Sequence, residues 1–90
     1  MDQTAFAKQL ADEGFDEILT KSSPPGKYAD AHSHPYAVKA LVLEGDITLG
    51  VAGQLTTYRA GETFSMAAGC EHTERCGAQG FSFLVGRKYG

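Results

Sequence analysis

The stretch of residues 26–46, GKYADAHSHPYAVKALVLEGD, decides the fold. It holds two of the chain's three histidines, His32 and His34. On a β-strand, residues two apart point to the same face, so both imidazoles should enter the same space. The third histidine, His72, begins another predicted strand. From the opposite side it would complete a set of three metal-ligating side chains.

Outward from this stretch, short apolar segments alternate with glycine-containing turns. Phe6 and Leu10 sit four apart in an alanine-rich segment that Gly14 can end, which predicts a helix from residue 4. The dipeptide Ala52-Gly53 is typical of a tight hairpin turn. Strands are predicted over residues 15–20, 31–43, 47–51, 55–59, 63–66, 72–76 and 81–85. The pattern predicts an all-β fold, a small antiparallel sandwich or barrel with a short N-terminal helix.

Composition limits the class of protein. The chain has 90 residues, 42% of them hydrophobic, and a net charge of −3, which fits one globular domain. The acidic balance argues against nucleic acid as a partner, and no apolar run approaches the length of a membrane span. Two cysteines make no disulfide framework, and the start lacks signal-peptide features. We expect a cytoplasmic single domain over residues 1–90, with a helical segment at 1–14 and a barrel at 15–90.

Two spaced motifs resemble those of the cupins, a family with a jelly-roll or double-stranded β-helix fold. The first family motif reads Gly, five residues, His-x-His, three or four residues, Glu, six residues, Gly. The second reads Gly, five residues, Pro-x-Gly, two residues, His, three residues, Asn. Seven of these ten positions match, namely Gly26, His32, His34, Gly45, Gly61, Gly69 and His72. The chain resembles a small cupin of the cupin 2 type, so we expect a cupin barrel.

Three motif positions depart from the family pattern. The position of the family's Glu ligand falls on Val38 when counted back from Gly45, and on Lys39 with the longer spacing. Strand parity favours Val38, which cannot coordinate a metal. Ala67 replaces the Pro and Cys76 replaces the Asn. The resemblance therefore implies the three-histidine version of the cupin site, without the family's carboxylate.

The resemblance implies that His32, His34 and His72 bind one divalent transition metal per chain. Iron, nickel, zinc, copper, cobalt or manganese is expected, whereas Mg²⁺ and Ca²⁺ do not suit imidazole. Three neutral imidazoles leave positions open for water or substrate. Because the ligands must be deprotonated, occupancy should fall as the pH drops through about 6.

Other inward-facing residues are candidates for catalysis or for lining the cavity. Glu74 lies two positions after His72 and could orient a metal-bound water, act as a general base or supply a fourth ligand; alternatively, it is an exposed carboxylate beside Arg75. Tyr36 shares parity with His34 and is either a hydrogen-bond donor to a ligand or a packed aromatic. The predicted pocket-lining residues are Val38, Phe64, Met66 and Cys76.

The two cysteines and the C-terminal segment receive simpler interpretations. Cys76 is expected to be a small buried filler, with redox activity as the alternative, and Cys70 a free thiol. The segment Arg87-Lys88 is expected to be a solvated tail. A homodimer is expected, with Leu41 and Leu43 on its surface because they face away from the histidines.

Two classes of function follow from the resemblance. The first is an enzyme with an open metal site, similar to non-haem dioxygenases or to small cupin isomerases, decarboxylases and lyases, acting on a small molecule. The second is a non-catalytic module that binds or senses a small ligand. The open three-histidine site favours the enzyme slightly, because such a site is costly to keep without a function, and Glu74 is the inward candidate for an acid or base. The sequence specifies neither the substrate nor the metal.

Overall fold

The structure is a computed structural model that describes residues 2–89. Within that range one helix and six strands follow each other along the chain. They are α1 (Gln3–Asp12), β1 (Glu17–Ser23), β2 (Tyr28–His32), β3 (Ala37–Val51), β4 (Gln54–Arg59), β5 (Thr63–Met66) and β6 (His72–Lys88). All strand pairs are antiparallel, and β6 pairs with β1, β2 and β3. The predicted all-β jelly-roll architecture with an N-terminal helix is confirmed.

The N-terminal helix forms where its apolar spacing predicts it. Asp2 caps the helix by accepting a hydrogen bond of 3.0 Å from the Ala5 backbone N–H. Phe6 and Leu10, one turn apart on the same side, are both fully buried. Gly14 follows the end of the helix with a φ of +81°, the left-handed conformation that glycine adopts at helix ends. The helix thus covers the barrel with one apolar stripe.

Two strands are longer than the sequence predicts. At the glycines where turns were expected, the chain bends and the strand continues. The predicted strands at 47–51 and at the end of 31–43 are one strand, β3, and those at 72–76 and 81–85 are one strand, β6. The predicted extended run from 31 is interrupted, since β2 ends at His32 and β3 begins at Ala37. The first strand, β1, begins two residues later than predicted and continues to Ser23.

The bend in β3 lies at Gly45, where it meets the bend in β6. Gly45 has a φ of +72°, and a Cβ there would collide with the Gly80 carbonyl oxygen. The register shifts on both sides of Gly45, and four residues of β6, 77–80, have no partner between Cys76 and Phe81. The parity of β3 changes across this irregular stretch, so that even positions before Gly45 and odd positions after it belong to the inner cluster.

Apolar side chains form two separate clusters. The inner cluster fills part of the barrel and comprises Val38, Ala40, Val42, Ile47, Leu49, Phe64, Cys76, Phe81 and Val85. The outer cluster lies between the barrel and α1 and comprises Phe6, Leu10, Leu41 and Leu84. Neighbouring residues of β3 alternate between them, as a period of two requires.

The outer cluster corrects the prediction for Leu41. This residue faces away from the histidines as expected, but α1 covers it and leaves it 1% exposed. Leu43 is partly buried against the same cluster. The prediction that Leu41 lies on a dimer surface is therefore wrong, while Leu43 at such a surface and the homodimer itself stay predictions. Within residues 2–89 the structure has no helix with the length and apolarity to cross a bilayer.

Candidate metal centre

Three histidines and one glutamate converge at one end of the β2–β6 pair. His32 ends β2 and lies opposite His72, the first residue of β6, while Glu74 follows two positions along. His34 lies after β2, in the connection to β3. One ligand atom from each of the four side chains lies within 4.8 Å of every other. Donor atoms on opposite sides of one ion are about 4.2 Å apart, so small side-chain adjustments close the cluster around an ion.

Backbone groups of β2 and of the loop before β6 hold the histidines in place. The Gly69 N–H donates a 2.8 Å hydrogen bond to the His34 carbonyl, which ties the second motif to the first. His32 Nδ1 lies 2.7 Å from the Asp30 carbonyl oxygen, and His72 Nδ1 lies 3.0 Å from the Cys70 carbonyl oxygen. A carbonyl only accepts, so the Nδ1 atoms of His32 and His72 carry the protons. In the neutral rings, Nε2 is then the atom with a free lone pair.

Both free lone pairs face the same carboxylate oxygen. Glu74 Oε2 lies 3.0 Å from His32 Nε2 and 3.1 Å from His72 Nε2. An ionised carboxylate also only accepts, so these contacts are repulsive unless a positive group lies among the three atoms. Protonating both rings would place two imidazolium ions with centroids 4.4 Å apart, one of them on His72, which is 2% exposed. One divalent cation satisfies all three atoms, so the donor set fits a metal.

His34 and Tyr36 form the other side of the cluster. Their rings stack with centroids 4.9 Å apart, and the Tyr36 hydroxyl lies 3.2 Å from His34 Nδ1. Burial lowers the pKa of His34, and the neighbouring His32 and His72 lower it further. His34 therefore stays neutral to lower pH than an exposed histidine, which is the state a metal ligand needs.

A cavity of about 260 Å³ adjoins the cluster. His34, Tyr36 and Glu74 line it on the side of the cluster. Its apolar walls are formed by Val38, Ile47, Leu49, Phe64, Met66, Phe81, Phe83 and Val85. A mostly apolar cavity with a few convergent polar groups is typical of a small-molecule site.

The structure places the predicted site residues as follows. All four predicted lining residues, Val38, Phe64, Met66 and Cys76, border the cavity. Val38 occupies the position of the family's glutamate and contributes wall, while Lys39 points away and forms a 2.9 Å ion pair with Glu13. Glu74 joins the histidines rather than lying at an exposed edge beside Arg75.

The two cysteines are free thiols, as expected, with Cys76 buried and Cys70 half-buried. Cys76 lines the cavity, and burial raises the pKa of its thiol. Cys70 contributes through its backbone, because its carbonyl orients His72. Sequence reasoning missed this contact, since any residue type supplies a carbonyl.

Three basic residues of the cavity were also missed. Lys21, Lys27 and Arg87 all line it. The expectation that Arg87 lies in a solvated tail is wrong, because β6 continues to Lys88 and the Arg87 guanidinium lies 5.1 Å from the centre of the Tyr36 ring. The signal was present in strand parity, because Arg87 continues the inward row of Phe81, Phe83 and Val85.

The sequence profile of the family described as "Cupin domain" matches residues 21–84, which is most of the chain. This chain belongs to the cupin family. The match includes both motifs and all four residues of the cluster, so the site lies within the part of the cupin that the family shares. A search of the curated proteins finds no match.

Solved structures agree with the fold of this cupin. A protein of unknown function from Rhizobium leguminosarum bv. viciae 3841 has a TM-score of 0.76 at 22% identity, over 81% of this chain and 69% of that one. An RmlC-like cupin from Shewanella frigidimarina has a TM-score of 0.66 at 20% identity, over 78% and 63%. Oxalate decarboxylase from Bacillus subtilis, in a study of its Mn(II) centres, has a TM-score of 0.71 at 20% identity, over 81% and 21%. This cupin thus spans about a fifth of the decarboxylase, and the likeness concerns the fold.

Proposed function

We propose that this cupin is a metal-dependent enzyme that binds one divalent transition metal and converts a small molecule in the adjoining cavity. His32, His34 and His72 would hold the ion, with Glu74 as a fourth ligand. Imidazole and carboxylate together suit iron, manganese, cobalt, nickel or zinc. Support for manganese comes from the oxalate decarboxylase of Bacillus subtilis, a structural neighbour with Mn(II) centres.

The contact that carries the proposal is the carboxylate oxygen shared between two histidines. Glu74 Oε2 and the two Nε2 atoms, of His32 and His72, present lone pairs to one another at 3.0 and 3.1 Å. No hydrogen bond among neutral groups resolves this arrangement, whereas a cation does. The Nδ1 atoms are already engaged by backbone carbonyls, which is the outer support that metal-ligating histidines usually have.

Catalysis by this site would depend on the metal more than on a protein base. Glu74 is the one carboxylate among residues 2–89 that lines the cavity, and it belongs to the ligand cluster. The bound ion would supply Lewis acidity and, for iron or copper, redox chemistry with dioxygen. The chain's own residues would orient the substrate: Tyr36 beside His34, and Phe64 and Phe81 as walls that exclude water. This division of roles favours a dioxygenase or lyase over a hydrolase that needs a free general base.

A binding module is the second candidate, and the same carboxylate favours it. Once Glu74 is a ligand, the part of the cavity that the structure describes has no uncoordinated carboxylate or imidazole that could act as a general acid or base beside the ion. A binding module needs no such group. In that case the metal and cavity would hold a small molecule without converting it.

Oxygen consumption by the iron-loaded protein separates these candidates. Anaerobic loading with Fe(II), followed by air and a panel of diketones, thiols and phenols, should give substrate-dependent oxygen uptake. Glu74→Gln should abolish the oxygen uptake and lower the affinity for the metal, because the amide keeps the size of the side chain and loses its charge. Saturable binding of panel compounds with no conversion in any metal form would instead support the binding module.

A further inference from the structure

The cavity of this cupin is lined by more basic than acidic residues. The chain has eight lysines and arginines and eleven aspartates and glutamates. Three of the basic residues line the cavity, namely Lys21, Lys27 and Arg87, but only one acidic residue does so among residues 2–89, and it belongs to the metal cluster. The lining of the cavity is therefore locally positive in an acidic protein, which favours the binding of anions.

Lys21 is the clearest departure from the pattern of the barrel. It lies on β1 between Leu19, which packs on the inner cluster, and Ser23, which lines the cavity. Its cross-strand partner is Phe83 of the inward row. Lys21 lines the cavity while its side chain stays exposed to solvent, so its positive charge lies where an entering ligand would meet it.

Two of the three cations have no carboxylate to neutralise them. Across residues 2–89, no aspartate or glutamate oxygen lies within 4.0 Å of the Lys21 or Lys27 ammonium group. Arg87 is partly paired, with one guanidinium nitrogen 3.5 Å from Glu17 Oε1. The two lysines thus leave positive charge available to a ligand.

The remaining walls define the rest of that ligand. The Phe81 and Phe83 rings are nearly parallel, at an angle of 10° with centroids 4.3 Å apart, and they line the cavity with Phe64. A closed apolar cavity of about 150 Å³ holds a benzene molecule, so about 260 Å³ has room for a ring with a small polar group.

We infer that the cavity binds a small organic carboxylate with an apolar, ring-sized body, whose carboxylate pairs with Lys21 and Lys27 while its body packs on the phenylalanines. This inference deepens the proposed function, since it names the substrate or ligand class of the same site.

The test compares benzoate with benzamide, which has the same ring and no charge, by calorimetry on the zinc-loaded protein. Benzoate should bind about tenfold more tightly. Lys21→Gln should weaken benzoate about three- to tenfold and leave benzamide unchanged, because one charged contact to a carboxylate is lost. Lys8→Gln is the matched control: it makes the same change of charge on the exposed face of α1, and it should leave both affinities unchanged. Inorganic phosphate, which lacks the apolar body, should bind more weakly than benzoate.

The inference is overturned if benzoate and benzamide bind equally, or if benzoate shows no saturable binding at millimolar concentrations. It is also overturned if phosphate binds as tightly as benzoate. The same holds if Lys8→Gln weakens benzoate binding as much as Lys21→Gln does. A benzoate preference that persists in Lys21→Gln and Lys27→Gln would place the carboxylate on the metal and also overturn it. Zinc content is measured on every sample. Stoichiometric zinc without benzoate binding contradicts this inference and leaves the metal centre unaffected. Absence of zinc contradicts the metal centre, and the same benzoate titration of the metal-free protein then decides the inference.

Discussion

The two faces of β3 pack differently, although neighbouring residues of one strand supply both. On the outer face, Leu41 meets Phe6 and Leu10 of the helix in a closed cluster. On the inner face, Val38 and its neighbours surround a cavity of about 260 Å³ that also admits lysines and a glutamate. A small chain has little core with which to stabilise its fold. The comparison indicates that the outer face provides tight packing while the inner face gives up part of its packing to leave room for a ligand.

The largest expected effect is loss of the metal from the inner face. His72→Ala should reduce the metal content to near zero, because it removes a ligand and its fixed Nε2 lone pair. The β-rich circular dichroism spectrum should remain, since the outer cluster is unchanged. The control is Cys70→Ala, which keeps the carbonyl that orients His72 and removes a thiol outside the cluster. Stoichiometric metal in His72→Ala would exclude His72 as a ligand.

The next effect concerns stability from the outer face. Phe6 is fully buried, so Phe6→Ala should lower the free energy of unfolding by about 3–5 kcal/mol, through lost transfer energy and a new cavity. Urea denaturation measures the change. Metal content per folded chain should equal that of the wild type. A loss below about 1 kcal/mol would show that the helix adds little to the fold.

The same substitution on the inner face should cost less. Phe64 is 9% exposed and already borders the cavity, so Phe64→Ala enlarges a space that exists. The substitution therefore removes fewer packing contacts than Phe6→Ala does. We expect a loss of about 1–3 kcal/mol in the same denaturation experiment, below that of Phe6→Ala. Equal losses for the two variants would contradict the difference between the faces.

The smallest effect is a dependence of the metal-free protein's stability on pH. The pKa of His34 lies below its ordinary value of 6.5 in the folded chain, so the unfolded chain binds more protons near that pH. Stability should therefore be greatest above about pH 6.5 and decrease as the pH falls through that value toward the folded pKa. Urea denaturation is measured at pH 7.5 and at pH 5.5, each about one unit from the ordinary histidine pKa. The difference in the free energy of unfolding between the two pH values should be smaller for His34→Gln than for the wild type. A slope that is the same in both proteins would mean that His34 does not contribute.

Sequence reasoning predicted the regular parts of the molecule. The helix stripe of Phe6 and Leu10, the hairpin at Ala52-Gly53 and the convergence of the histidines follow from local periodicity and motif spacing. The long strands did not follow, because Gly45 is compatible with both a turn and a bulge, and only its meeting with Gly80 on β6 selects the bulge.

The polar part of the site was predicted in part. Glu74 was found through its parity with His72, but its contact with two histidines depends on the pairing of β2 with β6. Lys21 was missed because it lies just beyond the predicted strand at residues 15–20, and Arg87 because it lies near the end of β6, where a charged residue is normally solvated. Their inward direction appears once β1 is paired with β6 and the parity of the whole row is known.

Elemental analysis of freshly purified, untagged protein, prepared without chelators, tests the central claim most directly. We predict about one divalent transition metal per chain, either as purified or after incubation with Fe(II), Mn(II), Co(II), Ni(II), Cu(II) or Zn(II) followed by desalting. Absence of bound metal under all these conditions would contradict the account, because His32, His72 and Glu74 would then face one another without a cation.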